Sequence, residues 1–223
     1  PTFNDSLLEI QKVYERGFEP ILEQTGSLSD AVSLELARLH NREFTYQQIL
    51  RKVGIRDRRP INGVIDLLKK HGYLLEIEPF LISDEKRSYL RKYGYIDPGL
   101  VSYLLGYKEL QSEAGFRVEG LVNARLQFHL QKFIIKDKGL YFYKPFVNKN
   151  KKLAPVPGEI DLIWQTGDFW FPIEIKSTDR WENIDTRLLT EFVKSNKCPF
   201  GLVLYSGVPR RDHNIHYLPW WAC

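Results

Sequence analysis

Apolar positions recur along this chain in two rhythms, helical over most of the first third and alternating over much of the last third. Residues 1–26 read as a helical lead-in, with Leu7, Leu8, Ile10, Tyr14, Phe18, Ile21 and Leu22 spaced loosely at helical intervals around Gly17 and Pro20. Ser29 or Asp30 can then cap a helix whose apolar residues are Val32, Leu34, Leu36 and Leu39. Thr45 and Gln48 form a capping-box pattern opening a short helix that runs to Val53, with Gly54 as the turn. Asp57 can cap a third helix that tolerates Pro60 in its first turn. In it, Ile61, Val64, Ile65 and Leu68 make one stripe, and Gly72 ends it. Residues 73–78 read as a strand, residues 84–87 as a polar excursion, and residues 93–96 as the returning strand.

Helix, helix, helix, hairpin is the order of a winged helix-turn-helix, here expected over residues 27–98. Its third helix offers Arg58, Arg59, Asn62, Lys69 and Lys70 to solvent, and the expected wing adds Lys86, Arg87, Arg91 and Lys92. Such residues bind phosphates and base edges when they share one face. Asp66 and Glu85 dilute the positive charge, so a solvated helix face is the plain alternative. Asp97-Pro98-Gly99 reads as a turn and a domain boundary.

The second region, residues 99–223, opens with a short apolar helix, Leu100 to Gly106, followed by a longer one over about residues 116–133. Val118, Leu121, Val122 and Leu126, extended by Phe128, Leu130 and Phe133, make its expected stripe, with Glu119 near its N-terminus. An acid there favours the helix dipole with no further role. A strand begins at Tyr141, and Lys144, Lys149, Lys151 and Lys152 follow in an expected basic loop that could hold a phosphate backbone or simply be solvated. Helix 186–195 and strands 200–205 and 214–219 close the chain, which suits a mixed sheet flanked by helices. His129, His213 and His216 read as packing or surface residues rather than zinc ligands.

The chemistry concentrates in residues 158–176. Two runs rich in aromatic and β-branched residues flank Gly167-Asp168, the pattern of a two-residue hairpin. Counting from that turn sets Thr166 opposite Phe169, Leu162 opposite Ile173, Asp161 opposite Glu174 and Glu159 opposite Lys176. One face carries Ile160, Leu162, Trp164, Phe171, Ile173 and Ile175; the other carries the charged residues. Asp161 and Glu174 fall at a non-hydrogen-bonded pair, where Cα atoms approach to about 4.5 Å. Like charges so placed destabilise a sheet by a few tenths to roughly 1 kcal/mol. A divalent cation between them reverses that sign, and oxygen ligands suit Mg²⁺ or Mn²⁺. Lys176 reaches the same place.

Composition narrows this reading without deciding it. Length and 43% apolar content fit one large or two small globular domains. A net charge of +4 is too mild to argue nucleic-acid binding, which must rest on local clusters. Cys198 and Cys223 form neither a metal spacing nor a disulfide framework, which fits a reducing cytoplasm. No signal peptide or long apolar run is visible, so neither secretion nor a membrane span is expected. The chain opens on Pro1, as a fragment of a longer protein would, and it contains no Met, for which we have no physical account.

Asp161 followed by Glu174-Ile175-Lys176 resembles the D…(D/E)-x-K signature of the PD-(D/E)xK, or restriction-endonuclease-like, nucleases. A second resemblance rests on residues 95–100, 104–106, 118–120, 158–161, 172–177 and 218–221. Their order is similar to that of a region of unknown function that follows an AAA-type ATPase module in bacteria and archaea. Together these resemblances imply an α+β and α/β chain, a winged helix joined to a restriction-endonuclease-like mixed sheet flanked by helices. They imply Asp161, Glu174, Lys176 and Glu119 as catalytic positions. Asp161, Glu174, Glu119 and the Ile175 carbonyl would hold Mg²⁺ or Mn²⁺, and DNA would meet Arg58, Arg59, Asn62, Lys69, Lys86, Arg87, Lys149 and Lys151. The implied function is a metal-dependent DNA phosphodiesterase with an AAA-type ATPase as a further partner; a homodimer is left open. The alternatives are a non-catalytic DNA- or protein-binding module of such an ATPase, and a transcription regulator using the winged helix alone. The phosphate-binding G-x-x-x-x-G-K-(S/T) run is missing, so ATP hydrolysis by this chain itself is not expected.

Overall fold

A computed structural model describes residues 3–24, 26, 28–81, 90–106, 114–132, 138–149 and 152–222. The first part runs α1 (Phe3–Gly17), α2 (Glu19–Glu23), α3 (Leu28–Arg38), β1 (Glu43–Phe44), α4 (Tyr46–Val53), α5 (Arg59–Lys70), β2 (Leu74–Pro79), β3 (Arg91–Tyr95) and α6 (Pro98–Leu104). Local chemistry sets the helix ends. Gln48 Oε1 accepts from the Thr45 backbone N–H at 2.6 Å, closing the expected capping box of α4. Gly54 takes the left-handed conformation after it, at φ +77°, where a side chain would be strained. Ile61, Val64, Ile65 and Leu68 bury one face of α5 against Val32, Leu36, Ile49 and Tyr95. Phe18 and Leu22 seat the lead-in helices in the same core. Asp97-Pro98-Gly99 is not a turn. Asp97 Oδ1 accepts from Gly99 N at 2.8 Å and Pro98 occupies the first turn of α6, so a cap continues the chain into a helix that packs Leu100 and Val101 into this core.

The second part runs α7 (Ala114–Lys132), β4 (Lys138–Tyr143), β5 (Phe146–Lys149), β6 (Lys152–Pro155), β7 (Ile160–Thr166), β8 (Phe169–Ile175), α8 (Arg187–Ser195), β9 (Gly201–Tyr205), β10 (Arg210–Asp212) and β11 (Ile215–Pro219). Nine strands form one mixed, mostly antiparallel sheet in the order β1-β3-β2-β4-β7-β8-β9-β11-β10. Strands from both parts share it: β2 runs parallel to β4 through Glu78↔Tyr141 and Pro79↔Phe142, and Phe80 N donates to Phe142 O at 2.7 Å. One face is covered by α8, through Leu189, Phe192 and Val193, and the other by α7, through Val118, Val122 and Leu126.

Two expectations need correction. The stripe of α7 is narrower than expected, because Leu121 and Phe128 are exposed. A three-residue step on a helix rotates only 300°, and here the four-residue steps Val118, Val122 and Leu126 face the sheet. The Leu130 side chain and Phe133 lie outside the described residues. The basic stretch after Tyr143 is not a loop: β5 and β6 pair antiparallel, with Lys149 opposite Lys152. Phe146 and Val147 favour a strand there despite the flanking lysines.

Candidate metal centre

The hairpin register is the one counted from the sequence, from Thr166↔Phe169 through Trp164↔Phe171 to Leu162↔Ile173. There the ladder stops, one pair short of Asp161 and Glu174. The cause lies on the other side of β7. Against β4 the register runs Tyr141↔Ile163 and then Tyr143↔Ile160, three residues of β7 against two of β4. This bulge gives Asp161 the extra position. It also breaks the alternation expected of the core face. Ile160 joins Ile163 in the α8 layer, while Leu162, Ile173 and Ile175 pack in the α7 layer. Asp161 does not stand in a cross-strand pair. Its Oδ2 instead accepts the Ile175 backbone N–H at 2.7 Å, replacing a ladder bond.

Three carboxylates converge here: Glu119, Glu159 and Asp161 each place an oxygen within 4.8 Å of the others. Glu119 is brought in by α7. Gly120 allows the close approach, because a Cβ there would lie 2.4 Å from His40 Nε2 and 2.6 Å from Asn41 Nδ2. Asn123, one turn on, is buried and donates to Asn41 Oδ1 at 3.1 Å. Glu159 follows Gly158, whose φ of +100° turns the chain into β7. Glu174 is also buried, at 8% exposure, and pairs with Lys176, whose Nζ lies 3.9 Å from Asp161 Oδ2.

The decisive group was not among the expected site residues. Lys92, assigned by its sequence position to an exposed basic wing, is fully buried. Its Nζ lies 2.6 Å from Glu119 Oε1 and 2.5 Å from Glu159 Oε1. The alternation in β3 turns this residue inward. The cross-strand pair expected between Glu159 and Lys176 is accordingly absent from the described ion pairs: Glu159 answers Lys92, and Lys176 answers Glu174 and Asp161. Only a fully buried lysine placed two residues before Gly94 could have signalled this, and a single Lys between Arg91 and Tyr93 carries no such mark.

Electrostatics follow from the count. Four carboxylates stand against two ammonium groups, a formal charge of −2 in a largely buried site. Burial pushes Glu119 up to about 8, against the pull of Lys92. Burial, with the Asp161 charge, pushes Glu174 up to about 8. Asp161 is raised as well, chiefly by burial. Burial also opposes the charge on Lys92, but Glu119, Glu159 and Asp161 outweigh it and hold the ammonium above its ordinary range. The donor set therefore fits a hard divalent cation, which would supply the charge the site lacks and displace the protons that excess carboxylates otherwise keep.

The other expected residues are scattered. Arg58 is exposed and stacks 3.7 Å above the Tyr46 ring. Arg59 pairs with Asp57 at 2.6 Å and Lys69 with Glu76 at 2.5 Å, while Asn62 is half-buried. Lys144 pairs with Glu43. Lys86, Arg87, Lys151 and the Lys149 side chain lie outside the described residues.

No family model and no curated protein matches the chain. Among solved structures it is similar to protein VC1899 from Vibrio cholerae, with 10% identity and a TM-score of 0.36 over 97% of this chain. The chain spans about half, 52%, of that protein's length. A likeness of this size carries no functional argument. Among the described residues, no helix is long and apolar enough to cross a membrane.

Proposed function

We propose that this chain is a divalent-metal-dependent DNA phosphodiesterase, with a winged helix that positions the duplex and a PD-(D/E)xK-like centre that cuts it. The observation that carries the proposal is the convergence of Glu119, Glu159 and Asp161 beside Glu174 and Lys176, with more buried acid than the lysines neutralise. The order α3, β1, α4, α5, β2, β3, with β1 laid on β3, supports the winged-helix reading. A helix bearing a buried acid ahead of the Asp161 hairpin supports the nuclease-like one.

Asp161 is the central ligand in this reading. Its Oδ2 is held by Ile175 N–H; with Glu119 and Glu159 it would hold the metal, with Glu174 and the Ile175 carbonyl as further ligands. Bound Mg²⁺ or Mn²⁺ would lower the pKa of a water and polarise the phosphodiester. Lys176, held by Glu174 near Asp161, would face negative charge developing on the phosphate. Arg58 and Lys70, both exposed on or beside α5, are suited to phosphate contact.

A second reading draws on Lys92. An ammonium already bound to two of the converging acids resembles a cation site filled from within. A non-catalytic DNA- or ATPase-binding module would look the same. Nicking of supercoiled plasmid with Mg²⁺ or Mn²⁺ separates the two. The nuclease reading expects cleavage that vanishes in Asp161→Asn and in Lys176→Ala. Cleavage at an unchanged rate in both variants would falsify it, and salt-dependent DNA retention without cleavage under either metal would select the binding module.

A further inference from the structure

We infer that Lys92 is a tethered cation that restricts the acid centre to a single divalent ion, an inference that rests on the metal-site reading above. Its ammonium touches Glu119 and Glu159 but is not in contact with solvent, so it occupies space as well as charge among the converging oxygens. Its backbone has little freedom to withdraw. Lys92 pairs with Glu43 of β1 on one side and Ile77 of β2 on the other, within the shared sheet. The Phe142 ring lies 5.8 Å from Nζ and closes another side.

The consequence is a limit on stoichiometry. Two-metal phosphodiesterases hold their ions about 3.5–4 Å apart with shared carboxylates. Here two of the three converging carboxylates, Glu119 and Glu159, each give one oxygen to an ammonium and have less to share with a second ion. A formal charge of −2 is balanced by one divalent ion, and a second would meet both surplus positive charge and the Lys92 head group. Lys92 comes from β3, in the first part of the chain, whereas the other site residues come from α7 and from the β7–β8 hairpin and its ends. It therefore acts as a specificity-determining residue supplied across the β2–β4 junction.

The test is Mn²⁺ titration followed by electron paramagnetic resonance on the wild-type chain and on Lys92→Met, a substitution that keeps the stem's bulk and removes the charge. The expected result is one Mn²⁺ per wild-type chain, and in the variant either a second ion or affinity higher by about tenfold or more. An unchanged or lowered affinity with one ion in the variant would overturn the inference, leaving Lys92 a structural counter-ion. Two Mn²⁺ in the wild type would overturn the inference and leave the metal-site reading intact, whereas none in the wild type with one in Lys92→Met would end both. If neither binds, both fail. Should Lys92→Met not fold alone, refolding with millimolar Mn²⁺ is expected to recover it, and failure to do so overturns the inference.

Discussion

In the helical region ionic groups sit at the rim and meet near neighbours: Arg59 with Asp57 and Lys69 with Glu76. At the middle of the sheet, Lys92, Glu119 and Asp161 are buried and meet partners far away in sequence. The first arrangement is cheap to keep and cheap to lose, since exposed pairs contribute about 0–1 kcal/mol. The second costs desolvation for every charge, and losing one partner leaves another stranded. Four acids and two lysines gathered there carry a desolvation cost that the exposed pairs do not, and the metal centre proposed above would account for it.

Four experiments test that contrast, the largest effect first. Asp161→Asn keeps an acceptor for Ile175 N–H while removing the charge, so metal-dependent nicking should fall to background with the thermal midpoint little changed; loss of fold instead would make Asp161 a structural residue. Lys92→Met should lower stability without divalent ions by roughly 3–5 kcal/mol in urea titration, because Glu119 and Glu159 lose their counter-charge. Gly120→Ala drives a methyl group into His40 and Asn41 and should cost about 1–3 kcal/mol, reducing metal affinity through Glu119 as well. At the rim, Arg58→Ala should leave stability within about 0.5 kcal/mol and reduce the salt dependence of DNA retention by about one unit of slope.

A pH experiment sharpens the same comparison within the buried set. His40 accepts Tyr95 N–H on Nδ1, and burial, with Arg117 nearby, pushes its pKa down to about 3. An unfolded histidine titrates near 6.5. The folded state disfavours the protonated form, so the stability His40 contributes is fully present above about pH 6.5 and is lost progressively as pH falls towards 3. The His40 ring signals in NMR should accordingly stay those of a neutral imidazole at pH 5 in the folded protein. A His40 resonance titrating near 6.5 in the folded protein would contradict its burial.

Much of this was legible from local rules. Thr45 with Gln48, the Ile61–Leu68 stripe and the Gly167-Asp168 turn each act over a few residues, and each element formed as the spacing predicted. Glu119, Asp161, Glu174 and Lys176 do gather at one end of the hairpin. The bulge at Ile160–Asp161 was not legible, because it depends on β4, which reaches β7 only in the folded sheet. Nor was the role of Lys92. A lysine in an alternating strand looks solvent-facing until the facing side is known, and that side is set by α7, which follows it in the chain.

The narrow seam between β2 and β4 has a practical consequence for anyone dissecting this protein. A cut at residue 98 would strip β4 of its neighbour, turning an interior strand into a bare template for pairing with other chains. It would also carry off the ammonium that quiets Glu119 and Glu159. Inactivity or precipitation of a fragment beginning there would be a symptom of amputation, and would say nothing about whether the strands and acids left behind can do chemistry.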